Sequence, residues 1–288
     1  MKQAYVHGYD ERESVRLQDQ ARSVVDLFHS DTRYPDGSTV LESGCGTGAQ
    51  TVTLARNSPG ARFTSIDVSA ASLAEAKARV QAAGLTNVQF RQEDIFALPF
   101  APASFDHVFV CFVLEHLPRP AEALLALRDQ LRPGGGTITV IEGDHGSAYF
   151  HPASAETDVV IECLVALQRA GGGNGLIGRQ PFPLLRSAGF DDVTVSPRMV
   201  YADASRPDLV EGFTRRTFTA MVAGVREAAL AAGLVEAEAF DAGLAALART
   251  AADEGVFCYT FFEAVGHIPT LSQERNRVRV NRNATEGV

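Results

Sequence analysis

Short apolar runs alternate with stretches in which apolar residues recur at helical spacing through the first half of the chain. The runs Thr39–Ser43, Arg62–Asp67, Val88–Arg91, His107–Phe112 and Thr137–Ile141 read as strands. Between them lie helical patterns: one through Leu54 and Ala55, one from Ser72 to Ala83, and one from Pro120 to Leu131. Ser72 and Glu75 have the spacing of a capping box, and Pro133-Gly134-Gly135-Gly136 stops the third helix. Ahead of the first strand, Leu17, Ala21, Val24, Val25 and Phe28 give one apolar face to a helix between Asp10 and Ser30. Strands alternating with helices predict parallel βαβ units in a doubly wound α/β sheet. Right-handed crossovers then put a ligand site at the carboxyl ends of the strands.

The second half is less regular. Pro152–Ala170 reads as a helix, Gly171 to Gly175 as a flexible hinge, and Pro183–Ala188 as a short helix. Val193–Tyr201 reads as a strand, Pro207–Ala252 as two Ala- and Leu-rich helices, and Val256–Val265 as an apolar closing strand. With no repeat or low-complexity linker, residues 1–270 are expected to form one domain. Insertions at about 147–178 and 207–252 would form a helical cap, and 271–288 a polar tail.

Composition narrows the function. With 26 Lys and Arg against 35 Asp and Glu, the net charge is −9. That balance disfavours nucleic-acid partners, which need a basic face to displace counterions. No apolar run is long enough to span a bilayer, and the first residues are too polar for a signal peptide. Cys45, Cys111, Cys163 and Cys258 are scattered, as expected of reduced thiols in a cytoplasmic protein. The oligomeric state is open, a dimer included.

VLESGCGTGA places Gly44, Gly46 and Gly48 directly after a strand and before a helix, where backbone N–H groups can approach a cofactor. Read as Gly44-x-Gly46-x-x-Ala49, the same residues fit a dinucleotide fingerprint. Glu42 begins to separate the readings: a carboxylate here suits a cationic ligand and repels a pyrophosphate. Asp67, at the end of the second strand, can accept both hydroxyls of a ribose. Asp94 can accept from the exocyclic amine of an adenine, with Ile95 covering the ring.

In order along the chain, VLESGCGTG, SIDVS, QEDIFALPFAPASFDHVF, FVLEHL, LRPGGGTITV and LLRSAGF resemble the successive motifs of class I S-adenosylmethionine-dependent methyltransferases. The likeness covers about residues 38–200 and is greatest to the ubiquinone and menaquinone branch. It implies a Rossmann-like, mostly parallel seven-stranded sheet whose last strand, Val256–Val265, runs antiparallel. It also implies S-adenosylmethionine contacts at Gly44, Cys45, Gly46, Asp67, Val68, Asp94, Ile95 and Cys111. The chain departs from the family in its two insertions, which would roof the site and suit a small-molecule acceptor rather than a macromolecule.

Glu142, Asp144, His145, Tyr149 and His151 crowd the segment after the fifth strand, where the family places substrate-side chemistry. His145, with Asp144 and His151, is the candidate general base. Alternatively Asp144 or Glu142, with His145 and His151 or His267, could hold a metal, which would suit C-methylation of an α-keto acid. His116 is read as a loop cap or cofactor contact. Tyr5, His7 and Tyr9 are lid candidates; Tyr149, Arg179, Gln180 and Arg198 could meet substrate. A cofactor-binding regulator without chemistry and an NAD-dependent dehydrogenase are the competing readings.

Overall fold

The computed structural model describes residues 24–269. A helical stretch at 24–29, labelled α1, leads into β1 (Thr39–Ser43), α2 (Ala49–Asn57), β2 (Arg62–Asp67), α3 (Ala70–Ala82), β3 (Val88–Gln92) and β4 (His107–Cys111). There follow α4 (Pro120–Asp129), β5 (Thr137–Gly143), β6 (Tyr149–His151), α5 (Ala155–Ala170), α6 (Pro181–Ser187) and β7 (Asp191–Ala202). A broken helical run comes next: α7 (Pro207–Leu209), a π-helical stretch (Val210–Thr219), α8 (Ala220–Gly224), α9 (Arg226–Ala231) and α10 (Ala237–Arg249). β8 (Val256–His267) closes the fold.

Strands β1 to β5 are parallel in the order β3-β2-β1-β4-β5, and β8 runs antiparallel between β5 and β7. This is the predicted doubly wound sheet with an antiparallel closing strand, plus the three-residue β6, which continues the β5 side along β8. The order turns back on itself at β1 and β4, so a crevice opens at their carboxyl ends. Among the described residues no helix is long and apolar enough to cross a membrane.

Alternation along the strands sends side chains to two buried layers. Val40, Phe63, Phe109 and Ile141 pack with α1, α2 and the helices inserted after β5 and β7. Leu41, Ile66, Val108, Val110, Ile138 and Val140 pack under α4 and α6. Register fixes the position of the insertions. Gly143, the last residue of β5, pairs with Phe261, so the amino-terminal end of β8 runs on past the carboxyl end of β5. Phe213 and Phe218 pack on this extension against Phe257 and Tyr259, and Gly243 of α10 fits against Val160 and the Glu156 carbonyl of α5.

Several boundaries differ from expectation. The cap of α3 is Ser69, whose hydroxyl accepts from the Ser72 amide, so the helix begins before the predicted capping box. β4 stops at Cys111 because Phe112 turns to φ 57°. Ser154 caps α5, with Glu156 and Asp158 in its first turn. The segment 207–252 is not two helices but a series broken at Val225 and Gly233. The glycines from 171 to 175 are not a loose hinge: the Gly173 amide donates to the Gln168 carbonyl and the Asn174 amide to the Glu115 carbonyl. A Cβ at Gly173 would collide with Glu115, so glycine serves close approach here.

Candidate active site

The turn after β1 is built by hydrogen bonds to β2. The amides of Gly44 and Cys45 both donate to the Ile66 carbonyl, at 2.8 and 2.9 Å. Gly44, Gly46 and Gly48 all have positive φ. A Cβ at Gly44 would strike Val113, and one at Gly48 would lie 2.9 Å from Ala76. Gly46 differs, with no atom within 4 Å of where its Cβ would be. Two of the glycines are therefore packing requirements, while the third leaves the backbone open on the ligand side.

Two carboxylates lie at this turn, one beside the opening and one beneath it. Asp67 accepts from the Gly46 amide at 2.9 Å and from the Ser69 amide at 2.8 Å, and burial raises its pKa. Glu42 lies beneath the turn, 2 % exposed. Its Oε2 accepts from the hydroxyls of Ser65 at 2.6 Å and Thr51 at 2.8 Å. Burial nevertheless pushes its pKa up to about 7. Such a carboxyl gains from a cationic neighbour, which would draw it into the ionised form.

The remaining cofactor candidates line the same edge. Val68 is exposed and Ile95 buried. Asp94 is exposed, with one carboxylate oxygen accepting from the Phe96 amide at 2.9 Å. Cys111 sits half-buried at the end of β4, its thiol pKa raised by burial and by the nearby Glu142, Glu42, Glu115 and Glu263. Acidic groups thus converge on the crevice from β1, β5, β8 and the turn after β4.

The loop after β5 does not assemble its candidates into one group. Asp144 is buried and takes a two-pronged pair from Arg179, Nε at 2.6 Å and Nη2 at 2.7 Å. Arg179 is thereby committed to holding this loop rather than offered as a substrate clamp. His145 is buried, with Nδ1 2.8 Å from the Tyr259 hydroxyl. His151 and Tyr149 are exposed on β6. Among the described residues no group of three His, Cys, Asp or Glu side chains could hold a metal; the Asp144–His145–His151 set fails because Asp144 faces arginine and His151 faces outward. Gln180 accepts from Asn174, and Arg198 pairs with Asp31 and Glu263. Tyr5, His7 and Tyr9 lie outside the described residues.

What the structure adds is a group around Glu115, in the turn Leu114–His116 after β4. Glu115 Oε1 is 3.5 Å from His116 Nε2, and Oε2 is 3.9 Å from His145 Nε2. The Gln168 amide donates to Oε2 at 3.2 Å. Beneath the turn, Glu142 Oε1 accepts from the amides of Val113 and Leu114. Sequence reading passed over Glu115, Gln168 and Tyr259, because their partners lie on β5, α5 and β8, far apart in the chain. Only the LEH turn itself was a usable signal.

Residues 40–135 match a methyltransferase domain family. An uncharacterized 37.1 kDa protein in transposon TN4556 of Streptomyces fradiae is 35% identical over 213 residues, covering 72% of this chain and 59% of that protein. The ubiquinone biosynthesis O-methyltransferase of Paracidovorax citrulli is 39% identical over 100 residues, covering 34% of this chain and 41% of that protein. The chain thus spans about half the length of these curated relatives. Among solved structures, the [4+2]-cyclase SpnF superposes with a TM-score of 0.54 at 20% identity, covering 87% of this chain and 83% of that one; at that identity the likeness concerns the fold.

Proposed function

We propose that the chain, whose residues 40–135 match a methyltransferase domain family, is a class I S-adenosylmethionine-dependent methyltransferase that transfers a methyl group from S-adenosylmethionine to a small-molecule acceptor. The observation that carries this reading is the turn after β1: an open backbone at Gly46, its amide on Asp67, with Glu42 buried beneath the turn. The donor set fits the cofactor chemically. Glu42 and the surrounding acids suit a ligand bearing a sulfonium and an ammonium, Asp67 can take ribose hydroxyls, and Asp94 with Ile95 can meet adenine. Gly44, Cys45, Val68 and Cys111 complete the wall. A bound S-adenosylmethionine supplies an already activated methyl group; the chain's own residues bind it, orient the acceptor and remove a proton.

The helices inserted after β5 and β7 support a small acceptor, since they pack on the β8 extension at the carboxyl side of the sheet. All four cysteines are free, which suits a reducing compartment, and we place the protein in the cytoplasm. Calorimetric titration with S-adenosylhomocysteine, S-adenosylmethionine and NAD tests the proposal. The expected result is binding of the first two. Tight NAD binding with no response to S-adenosylhomocysteine would overturn it.

A further inference from the structure

Glu115 is the meeting point of side chains from three separate segments. His116 comes from its own turn, His145 from the loop after β5, and Gln168 from α5. Its backbone is held as firmly, since the Glu115 carbonyl accepts from the Asn174 amide at 2.7 Å and Gly173 packs directly against it. His145 is fixed in turn, with its amide donating to the Gly175 carbonyl at 2.9 Å and its Nδ1 on the Tyr259 hydroxyl. The two histidines that flank Glu115 are not equivalent. The side chain of His145 is 6% exposed, that of His116 22%. His145 is therefore the inner support, and His116 is the more accessible of the two at the carboxyl end of β4.

We propose that His116 is the proton acceptor of the methyl transfer, oriented by Glu115, which is itself positioned by Gln168 and by the buried His145–Tyr259 pair. This rests on the methyl-transfer reading and deepens it by naming the acceptor class: a neutral molecule whose nucleophilic O–H or N–H must lose a proton. A lone pair on that oxygen or nitrogen forms the new bond to the methyl carbon. The carbon–sulfur bond breaks, and its electron pair stays on sulfur as a neutral thioether. The proton leaves the acceptor for the His116 imidazole, which lies beside the Glu115 carboxyl.

The surrounding groups fit this assignment. Facing Glu115 from β5 is Glu142, completely buried, whose pKa is raised well above the ordinary carboxyl range by burial and then by Glu115. Its environment favours the neutral form of Glu142 at the base of the group. From β4, Cys111 has its thiol pKa raised by burial and stays neutral. From β8, Tyr259 reaches the group through His145, and α5 contributes the uncharged Gln168.

Titration of the histidine rings by NMR in the full-length protein tests the coupling without any acceptor. His116→Gln and His145→Gln assign the two signals. In Glu115→Gln both rings should hold their proton about 3- to 30-fold more weakly than in the wild type, because an adjacent opposite charge has been removed; Glu115→Asp should give a smaller shift of the same sign. A His116 midpoint indifferent to both Glu115 variants overturns the proposal. In a second arm, a panel of phenols and amines is offered with methyl-labelled S-adenosylmethionine. His116→Gln should slow transfer by roughly 10²–10⁴, with S-adenosylhomocysteine affinity unchanged, and Glu115→Gln should move the acidic limb of the rate profile to lower pH. Wild-type turnover in His116→Gln would also overturn it. Loss of S-adenosylhomocysteine binding in the wild type would defeat the methyl-transfer reading instead, a different outcome.

Discussion

Asp67 is a strand-end carboxylate, but its two oxygens are not idle in the absence of ligand. They accept from the Gly46 and Ser69 amides, and so hold the glycine turn and the start of α3 as well as offering themselves to a ribose. Asp67→Ala should therefore weaken S-adenosylhomocysteine binding by about 1–3 kcal/mol, the usual cost of leaving such partners unpaired. Asp67→Asn, which keeps one acceptor, should lose less. Unchanged affinity in a folded Asp67→Ala variant would reject the assignment. Glu42 supports a second prediction, about pH. Its folded pKa of about 7 lies above the ordinary carboxyl value. Between pH ~4.5 and ~7 the folded state then holds a proton that the unfolded state has lost, so this group's contribution to stability falls as pH rises through that window. The whole difference is at most about 3 kcal/mol. Other carboxyls shift in both directions, so the measurement is wild type minus Glu42→Gln. Thermal unfolding should show the variant gaining relative to the wild type from pH 5 to pH 8. Ligand binding should run the other way: a ligand bearing an ammonium group prefers ionised Glu42, and wild-type affinity for S-adenosylhomocysteine should weaken below pH 7. A pH-independent difference would show that Glu42 does not titrate there.

At the scale of elements, the strands of the first half were legible because each is a short apolar run bounded by a turn residue, and β1 and β2 match their predicted limits. Helix starts were less so. The capping-box spacing of Ser72 and Glu75 points to Ser72, whereas the cap is Ser69, whose hydroxyl accepts from the Ser72 amide. The second half was read less well for a physical reason. Composition alone does not show whether glycines are there for freedom or for contact. Gly175 illustrates the difference: a Cβ there would meet the Gln168 side chain and lie 2.8 Å from His145 Cδ2. Gly175→Ala should accordingly destabilise the protein by about 1–3 kcal/mol through overpacking, and should disturb the His145 and Gln168 positions around Glu115. Chemical denaturation checks the first effect and the NMR signal of His145 the second. A neutral substitution would return this segment to the role of a simple linker. The cofactor edge was legible because its residues cluster in a few short motifs. The group around Glu115 was not, since Tyr259 reads as one more buried aromatic until the fold brings it to His145.

For the whole molecule, the open question is whether the helices inserted after β5 and β7 are a separable cap or part of one cooperative body. The packing favours the second. A single buried layer runs from the sheet residues Val40, Phe63, Phe109 and Ile141 to Phe28 of α1. It continues to Val160 and Leu164 of α5, Phe213 and Phe218 of the π-helical stretch, and Phe240 and Leu247 of α10. Phe28 meets Phe261 at a ring-centroid distance of 4.6 Å, and Phe218 meets Phe257 at 4.7 Å, so aromatic side chains from both α1 and the insertion share β8 as their floor. Unfolding the insertions alone would expose the face of β8 that they cover, together with the apolar face of α1. The cost of exposing that area is of the same kind as unfolding the sheet. Calorimetry should therefore show one transition whose van't Hoff and calorimetric enthalpies agree. Hydrogen exchange in α5 and α10 should slow to rates comparable with those in β8, with S-adenosylhomocysteine protecting the turn after β1 and the turn around Glu115 most. Two transitions, or insertion helices exchanging orders of magnitude faster than β8, would mean that the cap opens as a unit of its own, and access to the crevice would then be governed by that opening.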